Sequence, residues 1–278
     1  MNQNSERTYV RPIGTILVAM LFLLPIFIVL ISSVKESSEI LGDPAGIPTN
    51  PTMQNFANAL NPEKSDLLAG LQRSVLVTIV SALLTCLLSA GLAYTLARSR
   101  TKSAKVFTWI LLAGFMVPGQ VLLVPLVEVL RRLHLLGNYT GLILANIAFF
   151  LPFGVFVFTR FIRGISRELD EAAAIDGASK SRTFWVIIFP LLRPATARVL
   201  IFLGVWIWND FLAPLIILGP LTGQTVITGL FYYVSARQVS DYGTIFAYMI
   251  VASLPILVFF LALQKQFISG LTAGATKG

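Results

Sequence analysis

The residues best placed to do chemistry lie between Arg160 and Arg193, in the stretch RFIRGISRELDEAAAIDGASKSRTFWVIIFPLLR. A phosphate-binding loop needs G-x-x-x-x-G-K-[ST], whose backbone amides and lysine cradle a nucleotide. Gly177-Ala178-Ser179-Lys180-Ser181 offers one glycine and a Lys-Ser pair but lacks the second glycine and the spacing. ATP hydrolysis by this chain is therefore not expected. A docking helix fits better. Ser166 is a candidate N-cap, and Glu168, Asp170 and Glu171 fall near the first turn, where the helix dipole favours anions. Ile165, Leu169, Ala172, Ala173 and Asp176 share a face by helical spacing, small enough for a partner to approach the backbone closely. Gly177 is placed to end the helix with positive φ. Ser179 or Ser181 could cap a second helix through Phe184, Trp185, Ile187 and Ile188, which Pro190 and Pro194 would stop. An amphipathic connector resting on the membrane, its arginines on lipid phosphate, is the competing reading.

Other chemical candidates are sparse. His134 is the sole histidine and sits beside a turn, where a solvated loop residue is expected. Cys86 lies in an apolar run, as a small packing residue would. No cluster has metal-ligand spacing. Ion-coupled transporters place ionisable residues at the bilayer midplane. Glu128 is three residues from Arg131, which suggests an interfacial ion pair. Asp210 lies about 15 residues beyond the start of its apolar run, roughly 23 Å along a continuous helix, in the outer half. Asn209 and Asp210 either bond a neighbouring helix or face a pathway. Trp206 and Trp208 point in different directions on a helix, so at most one faces a pore.

These groups must be positioned by membrane helices. Of 278 residues, 56% are hydrophobic and 12% charged, and mean hydropathy is +0.80. A soluble domain carries about 25% charged residues. The apolar runs are long and continuous rather than alternating, which selects helices over a barrel. The fold class is all-α and polytopic, with six expected spans near 13–34, 71–96, 105–130, 140–158, 195–218 and 245–263. Pro118 and Pro125 fall inside the third. Residues 35–66 read as a polar external loop with a local helix near 53–60, and 219–242 is too interrupted to read as a span. The net charge of +8 needs no nucleic acid to explain it. Fourteen of the 21 Lys and Arg fall in the N-terminus, the 98–105 loop, 160–193 and the tail. Positive residues mark the cytoplasm, which puts both termini and Arg160–Arg193 there.

Glu171-Ala172-Ala173, Gly177, Ile188 and Pro190 match an E-A-A, G, apolar-x-P pattern. The segment resembles the EAA loop of binding-protein-dependent ABC importer permeases. Ala93-Tyr94 and Ala97-Arg98, Pro118 and Pro125, Leu151-Pro152-Phe153, Trp208-Asn209-Asp210-Phe211 and the tail Gly270–Gly278 extend the likeness to most of the chain, toward the maltose-type sugar branch. The resemblance implies the type I ABC transmembrane fold, with residues 69–268 as the permease domain. Residues 1–68 would hold the first helix and external loop, and 269–278 the tail. It implies Glu171, Ala172, Ala173, Asp176 and Gly177 on a coupling helix, docked on a cytoplasmic ABC ATPase dimer that holds the ATP and Mg. Further expected partners are a second homologous permease, an extracellular solute-binding protein and the lipid bilayer. Asn209, Asp210 and Trp208 are possible pathway or partner-helix contacts. Gly270, Gly274 and Lys277 would touch the ATPases, and 219–242 would reach toward the binding protein. The implied place is a bacterial or archaeal cell membrane and the implied cargo a sugar, with glycerol-phosphate or another polyol as alternative and an ion-coupled transporter as the rival class.

Overall fold

The computed structural model describes the backbone of residues 3–220, 222–236 and 241–275, and the side chains of Thr15, 18–220, 222–235 and 241–262. All regular structure among the described residues is helical. The helices are α1 (Gln3–Ser32), α2 (Ser37–Gly42), α3 (Gln54–Leu60), α4 (Leu67–Arg98), α5 (Lys102–Phe115), α6 (Gly119–Arg132), α7 (Tyr139–Arg163) and α8 (Glu168–Ile175). Then follow α9 (Lys180–Leu191), α10 (Arg193–Trp208), α11 (Leu212–Leu218), α12 (Val226–Ala236) and α13 (Tyr242–Ala275). Among the described residues, Leu67–Arg98, Tyr139–Arg163 and Tyr242–Ala262 are long and apolar enough to cross a bilayer unaided, and two sharply bent helix pairs could bring the number to five. In α1, Val18–Ser32 forms a further apolar stretch.

The expected third span is not one helix. α5 and α6 meet at 104°. Pro118 between them is extended, with φ −57° and ψ 125°. Proline lacks an amide hydrogen, and its ring disfavours helical backbone at the residue before it. Pro125, in contrast, is carried inside α6. The fifth span is also broken. α10 ends at Trp208 and α11 starts at Leu212. Asn209 Nδ2 donates to the Val205 carbonyl at 2.8 Å, and Asp210 Oδ1 accepts from the Ala213 amide at 3.4 Å. Such side chains compete with the backbone ladder. Asn209 and Asp210 thus occupy a helix break instead of one continuous helix.

Pro190 does not stop its helix as expected. The ladder loosens first into a π turn over Thr183–Ile188, where the Phe189 amide reaches back to the Phe184 carbonyl. That wider turn accommodates a residue without an amide hydrogen, and α9 runs on to Leu191. It then meets α10 at 77°.

The chain packs as two units. One comprises Gly70–Thr228 and Pro255–Gly278. Its core uses a stripe of small residues on α4, Ala82, Cys86, Ala90, Ala93 and Ala97, all buried. Small residues let membrane helices approach closely. Gly154 of α7 completes this: a Cβ there would lie 2.6 Å from Ser89 Cβ. Asn146 Nδ2 also donates to Ser81 Oγ, at 3.3 Å.

The other unit comprises Met1–Ala69 and Gly229–Leu254. Here Lys35, expected in an open polar loop, is fully buried, and its ammonium donates to the Asp43 carbonyl at 2.8 Å. Asn55 on α3 donates to the carbonyls of Ser33 and Lys35 at 2.9 and 2.7 Å. Gly243 is the close-approach point, since a Cβ there would meet the Lys35 carbonyl at 2.6 Å.

Candidate functional site

The segment from Arg160 to Arg193 folds as two short helices around a glycine turn. The Ser166 hydroxyl accepts from the Glu168 amide at 3.2 Å, but the N-cap position of α8 falls on Arg167, whose side chain makes no capping bond. Gly177 has φ +75°. The Ala178 amide bonds the Ala173 carbonyl at 2.9 Å and the Gly177 amide bonds that of Ala174 at 3.1 Å. This pair of bonds is the Schellman closure of a helix. Ser179, and not Ser181, caps α9, accepting from the Arg182 amide at 3.3 Å.

The small face expected on α8 divides in two. Ala173 is buried, with α8 packed on the π turn of α9. It therefore presents nothing outward. Glu168, Glu171, Ala172, Ile175 and Asp176 are exposed, and Ile175 is 87% exposed. An isoleucine so bare on a short polar helix is an unpartnered apolar point.

What holds α8 in place is a set of contacts that the sequence pattern alone did not isolate. Asp170 ion-pairs with Arg98 at the end of α4, Nη2 to Oδ2, at 2.8 Å. Tyr94, one turn earlier on α4, donates its hydroxyl to Asp170 Oδ1 at 2.6 Å. Arg98 also donates to the Ile165 and Ser166 carbonyls at 3.1 and 3.4 Å. The Tyr94 ring lies 5.2 Å from that of Phe184 in the π turn. One residue thereby touches α8 through its hydroxyl and α9 through its ring. The available signal was the spacing of Tyr94 and Arg98, four apart at the end of an apolar run and so on one face.

Two breaks in the helices create the second feature. The α5–α6 bend and the α10–α11 break face a cleft of about 550 Å³, also bordered by α7. Phe115, Phe149, Phe150, Trp206 and Phe211 supply aromatic side chains, and Gln120, Asn209 and Asp210 supply polar groups. Among its lining residues there is no Lys, Arg or His. Of the two tryptophans, Trp206 is the one that borders it, 57% exposed. Trp208 is buried and lines a separate apolar cavity with Phe259 and Pro255.

Glu128 pairs with both Arg131 and Arg132, each at 2.9 Å. His134 is an exposed helix-end residue with φ 55°. Cys86 is free and buried. The helix α13 continues through Gly270 and Gly274, past the expected start of the tail at 269. Lys277 lies outside the described residues.

Residues 87–272 match the family of binding-protein-dependent transport system inner membrane components. The chain belongs to that family. The matched stretch of this permease holds both α8 and the cleft. The permease is 34% identical over 261 residues to the multiple sugar-binding transport system permease MsmG of Streptococcus mutans, covering 92% of each chain. It is 33% identical over 264 residues to the arabinooligosaccharides transport system permease AraQ of Bacillus subtilis, covering 94% of this chain and 93% of that one. Among solved structures, the permease overlays a chain of a bacterial ABC transporter that imports the acidic polysaccharide alginate. The TM-score is 0.78 at 19% identity, over 95% of this chain and 98% of that one. A second alginate transporter structure, in complex with an alginate pentasaccharide-bound periplasmic protein, gives 0.67 at 17% identity. The fold is the type I ABC importer transmembrane fold.

Proposed function

We propose that the permease forms one half of an ATP-driven importer's membrane pathway for a neutral sugar or oligosaccharide. The observation that carries this is the cleft between the two helix breaks, with five aromatic side chains, two amides and one carboxylate. Sugar rings stack their apolar faces on aromatics, and their hydroxyls donate to amide and carboxylate oxygens. The names of the relatives support a saccharide cargo. A phosphate-bearing polyol or a uronate would meet Asp210 in that cleft without a compensating cation. An acidic polysaccharide such as alginate is therefore a poor fit to this cleft.

In this reading the outward face of α8, with Glu171, Ala172, Ile175 and Asp176, seats in a cytoplasmic ATPase. Ala173 and Gly177 shape the helix beneath it, and the permease itself is not catalytic. The Arg98–Asp170 and Tyr94–Asp170 contacts would pass movement of α8 to α4. Residues 69–268 form the transporting part, 1–68 its N-terminal addition, and 269–278, including Gly270, Gly274 and Lys277, a contact for the ATPases. A second permease completes the pathway, and a solute-binding protein delivers cargo to the 219–242 side. The distribution of basic residues supports cytoplasmic termini. Reconstitution with ATPase, second permease and binding protein tests this. Uptake of neutral oligosaccharide is expected to need ATP and to survive an uncoupler at clamped ATP. Uptake abolished by the uncoupler alone would overturn it in favour of ion coupling.

A further inference from the structure

We infer that the end of the permease where α5 begins and α7 finishes holds a site for one anionic phospholipid. Two adjoining cavities carry the inference. The first is an apolar groove of about 300 Å³ between α5 and α7, walled by Leu111, Leu112, Pro152, Val155 and Phe156 and ending at Arg160 and Arg163. The second is a polar cleft of about 660 Å³ that shares Arg163 and adds Arg98, Arg100, Lys105 and Arg167, with no acidic residue in its lining.

Not all of those cations are free. Arg98 is taken by Asp170 and Arg167 reaches the Ala97 carbonyl. Arg100, Lys105, Arg160 and Arg163 have no acidic partner among the described residues. They stand on three separate pieces of chain that converge here. Arg160 and Arg163 are three apart in the last turn of α7, hence on one side of it.

The order of groups along α7 matches that of a phospholipid. Val155 and Phe156 line the acyl groove, Thr159 comes one turn later, and the arginines follow. The Thr159 hydroxyl is the independent sign of a ligand. Its residue is 5% exposed, and Oγ1 has no hydrogen-bond partner. A threonine in a membrane helix usually donates to the carbonyl four residues back, and leaving a buried hydroxyl unpaired costs stability. A glycerol ester carbonyl sits between acyl chain and phosphate in a lipid, where Thr159 sits between groove and arginines. Basic pockets between membrane helices bind anionic headgroups in this manner. The occupant is a lipid of the leaflet on the α8 side.

The experiment uses the purified full-length permease in detergent, stripped of lipid, with retention read by native mass spectrometry and thermal unfolding. Phosphatidylglycerol is expected to bind at least tenfold tighter than phosphatidylcholine and to raise the unfolding temperature. R160Q/R163Q should abolish that preference, R160K/R163K should keep most of it, and T159V should weaken both lipids alike. Equal binding of the two lipids would overturn the inference. So would an unchanged preference in R160Q/R163Q, or a stabilisation fully reproduced by inorganic phosphate. Because no transport is measured, the result is independent of the proposed cargo.

Discussion

The hydroxyl of Tyr94 donates to the carboxylate of Asp170 across 2.6 Å, joining the end of α4 to the first turn of α8. The same carboxylate holds Arg98. Both side chains of that ion pair are mostly buried, 14% and 21% exposed, so solvent screens it only partly. A charge-assisted contact of this kind contributes roughly 1.5–3 kcal/mol. Arg98→Ala and Asp170→Ala are each expected to lower uptake about tenfold or more while ATPase activity of the assembled transporter persists. The double variant should lose less than the sum of the two single losses, since both delete the same ion pair. Uptake and ATP hydrolysis measured side by side in proteoliposomes decide it; additive losses would contradict a shared link.

Gly177 lies at φ +75°, and a Cβ there would meet nothing within 4 Å. A substitution is therefore penalised by backbone conformation and not by a clash inside this chain. Gly177→Ala should cost about 1 kcal/mol, and Gly177→Asn less, since asparagine tolerates that region. Thermal unfolding of the permease alone reads the conformational cost. A loss of uptake in Gly177→Asn far beyond its stability loss would report the docking contact.

Trp206 and Trp208 should separate cleanly. Trp206→Ala is expected to leave the unfolding temperature almost unchanged and to raise the KM of uptake. Trp208→Ala removes a buried ring and should destabilise by roughly 3–5 kcal/mol. Equal effects of the two on KM, at equal stability, would remove the cleft from the pathway.

Close packing of α4 on α7 depends on Gly154. Gly154→Val should prevent stable folding in the membrane, because the added atoms occupy the place of the Ser89 side chain. Pairing Gly154→Ala with Ser89→Gly should recover most of the folded yield, measured by size-exclusion profile in detergent. Failure of that rescue would mean that the glycine serves something other than this approach.

His134 stands at φ 55°, with the Leu135 amide bonded to the Leu130 carbonyl at 2.8 Å. It closes α6 as Gly177 closes α8. His134→Gly should therefore stabilise by a few tenths to about 1 kcal/mol, visible as a higher unfolding temperature with transport unaltered. A lower temperature would show that the imidazole has a role of its own.

Much of this was readable from residue order. Apolar run length separated the helices, and Gly177 and the Ser179–Ser181 pair marked the end of α8 and the start of α9 because capping chemistry is local, whereas the N-cap of α8 fell on Arg167 and not on Ser166. The breaks were harder. Pro118 and Pro125 read alike in sequence, yet one bends the chain by 104° and the other sits in a helix. Which of them yields depends on what the neighbouring helix offers. Likewise Ala172 and Ala173 belong to one small face by spacing, and only the packing of α8 on α9 shows that Ala173 turns inward. Trp206 and Trp208 differ in role for the same reason: periodicity shows that they diverge, not which of them meets the interior.

Ile175 remains, bare to 87% at the tip of α8. On the proposed reading an ATPase covers it in the finished transporter and water meets it in a subunit made alone. An orphan copy thus displays a sticky greasy spot that an assembled copy conceals. Covering it would withdraw one isoleucine side chain from water, roughly 1.5–3 kcal/mol of apolar burial available only on assembly.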